Sequence, residues 1–117
     1  MGVLYLVLSD ALFAAGDYGH AAVAIRRAFT LEPELARSTV DKTEFYADAA
    51  DFERHLQTAR GFLASNPANG DARLALAVNE LFSGQLESAA MTLGADGGAL
   101  ATDPASALIR GAISARR

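Results

Sequence analysis

Two histidines, His20 and His55, are the residues of this chain best suited to proton transfer or metal binding near neutral pH. Asp17 lies three residues before His20 and Asp51 four residues before His55, so a helix would hold each pair on one face. A metal centre needs further ligands converging on the same point, and a catalytic base needs a nucleophile or electrophile beside it. The chain contains no cysteine to supply a thiolate. No serine stands in a Gly-x-Ser-x-Gly turn, and the single lysine, Lys42, follows no glycine-rich phosphate loop. Gly94, Gly97 and Gly98 would suit a phosphate cradle, but they follow a helical run rather than a strand, and they read as helix termination. The residues therefore point away from an enzyme: no catalytic group, metal ligand or cofactor is expected.

The remaining charge feature is acidic. Asp41, Glu44 and Asp48 fall at i, i+3 and i+7 on one helical face, with Asp51 and Glu53 just beyond. Most such faces are simply solvated. The basic residues are scattered and the net charge is −4, so there is no basic stripe to hold a phosphate backbone, and nucleic acid is not an expected partner. The opening MGVLYLVLSDALF is apolar but too short to span a bilayer. It carries no basic leading segment and is broken by Asp10. It reads as a buried helix with no membrane insertion, and nothing in the sequence fixes a compartment.

The elements that would position these residues are helices. Of the 117 residues, 51% are apolar, many of them alanine, and there are only 3 prolines. Laid against itself at a shift of 34 (Pro33 onto Pro67), the chain superposes Gly16 on Ala50 and Ala50 on Gly84. Tyr18, Phe52 and Leu86 also align, as do Ala21 with Ala89 and Ile25 with Leu93. Gly16 and Gly84 end apolar runs as left-handed C-terminal glycines do, and Asp17 can cap the helix that follows. Asn66-Pro67-Ala68-Asn69-Gly70 is a loop, and Asp103-Pro104 begins a last helix. The spacing predicts helices over 3–15, 18–31, 37–48, 51–65, 71–83, 85–94 and 104–115. The expected core is Tyr5, Leu8, Leu12, Tyr18, Ile25, Phe52, Leu56, Leu63, Leu76, Leu86 and Leu93.

This period and these residues resemble the tetratricopeptide repeat (TPR) family in its bacterial form. The first unit matches at Tyr5, Leu8, Ser9, Leu12, Ala21, Ile25, Ala28 and Pro33. The third matches at Leu76, Ala77, Gly84, Leu86, Ala89 and Leu93 but has Arg73 and Glu80 where large apolar residues are usual. The middle unit keeps Tyr46, Phe52 and Pro67, with Lys42 and His55 off pattern, which predicts a shortened or displaced third helix. The resemblance implies one all-α domain over 1–117: a right-handed superhelical stack of three hairpins (2–35, 36–69, 70–101) with a capping helix at 103–115. Met1-Gly2 leads straight into an apolar helix without a cap, which reads as a cut from a longer protein.

In that family the first helix of each hairpin lines a concave groove. The groove implied here has Leu6, Val7, Asp10 and Phe13 at one end and Leu74, Val78, Leu81 and Phe82 at the other, with Val40, Asp41, Glu44 and Asp48 between. The family's carboxylate-clamp arrangement needs Lys, Arg and Asn there, which Leu6, Asp10 and Val78 do not supply. The resemblance thus implies a protein-interaction scaffold whose partner is a protein or peptide segment held in an apolar groove with an acidic centre. The alternative is a structural, self-associating domain whose groove is filled by a second copy, as a homodimer, or by other parts of a larger chain.

Overall fold

Two glycine turns shape the chain. In the computed structural model, which describes residues 2–38, 49–94, 100 and 102–116, Gly16 and Gly84 have φ of 79° and 80°. At the first turn Gly16 N–H donates to Phe13 C=O (3.0 Å) and Asp17 N–H to Leu12 C=O (2.9 Å). At the second, Gly84 N–H donates to Leu81 C=O (3.1 Å) and Gln85 N–H to Glu80 C=O (2.9 Å). These paired bonds are the Schellman arrangement that satisfies the last carbonyls of a helix, and it needs a residue free to adopt positive φ.

The turns close two antiparallel hairpins: α1 (Gly2–Ala14) with α2 (Tyr18–Leu31), and α4 (Gly70–Leu81) with α5 (Leu86–Gly94). Between them lie a 3-10 segment, Pro33–Arg37, and α3 (Ala49–Ser65), and α6 (Pro104–Arg116) follows. All the described elements are helical. Asp17 caps α2 by accepting from His20 N–H, and Asn69 caps α4 by accepting from Ala72 N–H (3.0 Å). Ser38 is extended, so no helix starts at 37 as the spacing predicts. The rest of the expected third helix, with Lys42 and Tyr46, lies outside the described residues.

Helix α4 is the centre. Every residue from Ala72 to Phe82 is buried, because α2, α3, α5 and α6 all pack on it. Its three buried polar side chains are paired: Asn79 donates to Ala75 C=O (2.8 Å) within the helix. Glu80, 1% exposed, accepts from Arg60 Nη2 (3.0 Å) and from Thr92 Oγ1 (2.6 Å). Arg73 donates to Thr92 C=O (2.9 Å) and Pro67 C=O (2.7 Å). One carboxylate and one guanidinium therefore tie α4 to α3, to α5 and to the loop before it. The expected core residues Tyr18, Ile25, Phe52, Leu56, Leu63, Leu76 and Leu93 are buried, and Tyr5, Leu12 and Leu86 are partly so. Leu8 is not. Helix α1 buries Gly2, Leu6, Ser9 and Phe13 instead, a stripe turned away from the one that the repeat register implied. Gly2 explains part of that rotation: a Cβ there would stand 2.9 Å from Ala28 O, so the start of α1 sits directly against the end of α2. The radius of gyration, 12.6 Å, is near the ~13 Å of a globular chain of this length rather than an open solenoid.

Three outcomes are expected. A Cβ at Gly16 would meet nothing within 4 Å, so Gly16→Ala carries only the backbone cost of positive φ, and denaturant unfolding should show a loss of about 1 kcal/mol. Arg60→Met leaves the Glu80 carboxylate buried without its cation and should lose about 3 kcal/mol, most of it recovered in Arg60→Met/Glu80→Leu. An unchanged midpoint for Arg60→Met would remove this ion pair from the account. The third concerns Asp17, whose carboxyl is held below the usual Asp range, first by His20 N–H and then by the His20 side chain. A lowered folded-state value means its contribution is complete above the ordinary Asp pKa of about 3.9 and drains away as the pH falls below it. The stability gap between wild type and Asp17→Ala should close in that acid range, as read by pH-dependent unfolding.

Candidate functional site

Six of the expected groove residues are enclosed. Leu6, Phe13, Leu74, Val78, Leu81 and Phe82 are all buried within the chain. Helix α6, expected as an end cap, packs on α5 and α4 of the last hairpin and also on α2 and the 3-10 segment, and buries its own Ile109 and Ile113. Its last turn seals one end: Arg116 Nη1 donates to Leu81 C=O (3.2 Å), and its guanidinium stands 6.0 Å from the centre of the Phe82 ring. Those six residues are core: an apolar surface that its own chain can cover is covered. Of the groove set only Val7 and Asp10 remain at the surface among the described residues, Val7 fully and Asp10 partly. Val40, Asp41, Glu44 and Asp48, the acidic centre, lie outside the described residues.

The structure leaves open the outer face of α1. Val3 is 49% exposed, Leu4 57%, Val7 60% and Leu8 48%, and Ala11, Ala14 and Ala15 continue the exposed surface toward the turn. Ala15 still follows the helical path, donating to Ala11 C=O at 3.1 Å. The geometry is simple: if residues 2, 6, 9 and 13 face inward, residues 4, 8, 11 and 15 face outward. The outer positions carry only Leu and Ala. On one margin Arg27 of α2 stacks its guanidinium 5.9 Å from the Tyr5 ring centre, and Val23, one turn earlier on α2, is 59% exposed on the same edge. The opposite margin carries Asp10. The 4-3-4 spacing of Leu4, Leu8, Ala11 and Ala15 is plain in the sequence. The repeat register hid it by assigning Leu8 to the core.

A second concavity of about 680 Å³ lies between the end of α2 and the start of α6, lined by Phe29, Pro33, Pro104, Ala105 and Leu108. Its polar floor is an ion triad. Arg26 donates through Nε to Asp103 (2.9 Å) and through Nη1 to Asp71 (2.9 Å), while Asp103 also accepts from Ala105 N–H (2.9 Å) to cap α6. Each of these charges is engaged in joining α2, α4 and α6, so the triad acts as a clasp. Sequence reasoning missed it, because the partners are 45 and 77 residues apart.

The histidines are not brought together. His20 is exposed and pairs with Asp17 at 2.8 Å, and His55 is half-buried on α3. Among the described residues no group of three or more His, Asp or Glu side chains converges as a metal site, and no helix is long and apolar enough to cross a membrane.

No protein-family model matches this chain, and neither a curated protein nor a solved structure is significantly similar to it.

Proposed function

We propose that this chain is a TPR-like protein-interaction module that docks a polypeptide on the outer face of α1. The observation that carries the reading is the run Val3, Leu4, Val7 and Leu8, four neighbouring large apolar side chains about half exposed on a helix with no polar outer face. A helix that is apolar all round is normally covered all round, and a contiguous patch of a few hundred Å² on a small domain marks a contact surface. The TPR-like part rests on the two Schellman hairpins, whose glycines, Gly16 and Gly84, stand two repeat lengths apart in the sequence. The docking surface differs from the family's groove, because in this chain α6 and α4 consume the groove side.

The reading excludes phosphate backbones as ligands, since the face presents no cation; its natural complement is another apolar helix or strand. A photo-cross-linking residue at position 7 tests it, with the exposed α3 position Gln57 as reference. Position 7 should give a discrete polypeptide adduct that Leu4→Glu/Leu8→Glu abolishes, and position 57 should give none. Absence of any polypeptide adduct at position 7, with the protein folded, would overturn the docking role.

A further inference from the structure

The occupant of the α1 face can be read from the distribution of its side chains. The line along the outward face reads Leu4, Leu8, Ala11, Ala15: large at one end, small at the other. Leu4 and Ala15 lie symmetrically about the peptide between Ser9 and Asp10, and Leu8 and Ala11 lie symmetrically about the same point. When two such helices lie antiparallel about a two-fold axis through that midpoint, Leu4 of one falls opposite Ala15 of the other, and Leu8 opposite Ala11. Each leucine meets a methyl rather than another leucine, which lets the backbones approach to the short end of the 8–10 Å range of packed helices. Both antiparallel and parallel two-fold pairings are isologous, but the parallel one sets leucine on leucine at one end and alanine on alanine at the other, so the leucines hold the backbones apart and leave a gap between the alanines.

We propose that the outer face of α1 binds the same face of a second copy, antiparallel, with Leu4 against Ala15 and Leu8 against Ala11. The proposal rests on the docking reading above and names its partner. The surroundings permit it. The face is exposed, Val7 flanks the line, and no charged side chain stands on it. The area sets the strength. Half-exposed, Val3, Leu4, Val7 and Leu8 offer on the order of 300 Å² per copy, or roughly 600 Å² for the pair. That is below the ~1,200 Å² at which standard stable interfaces begin, so the dimer is weak and reversible.

Steric substitution distinguishes this pairing from general stickiness. Ala11 is exposed, and leucine is a good helix former, so Ala11→Leu should melt like wild type. It adds apolar surface, which would strengthen an indiscriminate contact, but it sets the enlarged side chain at position 11 of one copy against Leu8 of the other. By sedimentation equilibrium of the full chain, wild type should be a reversible monomer–dimer system, and Ala11→Leu should weaken it about tenfold. The swap Leu8→Ala/Ala11→Leu restores large against small and should return the dissociation constant to near wild type. Because the chain has no cysteine, single introduced thiols report direction. Leu4→Cys and Ala15→Cys chains should couple through a short bis-maleimide when mixed, and neither should couple alone. Tighter association of Ala11→Leu, or coupling of Leu4→Cys to itself, would overturn the antiparallel register. A chain that stays monomeric to sub-millimolar concentration while position 7 cross-links a different polypeptide would overturn the second copy but keep the docking role. A monomer with no adduct at position 7 would remove both.

Discussion

The buried carboxylate of Glu80 is the constraint around which the rest of the molecule is arranged. A charge taken out of water survives only with close partners, and Glu80 has them in Arg60 of α3 and Thr92 of α5. Both must be in position together, so α4 cannot slide against either neighbour without stranding an ion. Arg73, on the same face and two turns earlier, holds the same residue of α5 through Thr92 C=O and the preceding loop through Pro67 C=O. Apolar contacts around α4 favour burial without specifying a register. The polar pair supplies it, and the Arg26 clasp to Asp71 and Asp103 fixes α2 and α6 on the same central helix.

Enclosing α4 decides what becomes of the other apolar faces. A regular repeat stack leaves the first helix of each hairpin open along a groove. In this chain α2, α3, α5 and α6 all pack on α4, and Leu74, Val78, Leu81 and Phe82 are core. Helix α1 packs chiefly on α2 and less on α3, and its far side stays exposed. Its exposed leucines follow from that arrangement: α4 is wrapped completely and α1 on one side.

Much of this was legible in the residues. Gly16 and Gly84 announced both turns, because only glycine adopts positive φ without strain, and Asp17 announced the cap that follows. The helix bounds followed from apolar spacing and are right to within two residues for the described helices other than the expected third. What was not legible is rotation. On a helix as uniformly apolar as α1, spacing gives no preferred face, so the family register put Leu8 inward, and the close seat of Gly2 against Ala28 puts Leu6 and Phe13 there instead. The clasp was equally hidden, since Arg26, Asp71 and Asp103 are unremarkable alone and acquire meaning only when three helices meet.

The taper of α1 from leucine to alanine bears on how so apolar a surface is compatible with a discrete assembly. A flat leucine face offers equal attraction to any apolar helix in any register, and thus a route to open-ended association. A tapered face does not. Sliding it by one turn against its copy brings Leu8 onto Leu8 at the centre in one direction and Ala11 onto Ala11 in the other, and either way shortens the overlap and loses contact. In the proposed pairing the antiparallel, centred arrangement fills the interface, uses up both faces and closes. Under that proposal the same four positions that attract a partner would also limit the assembly to two.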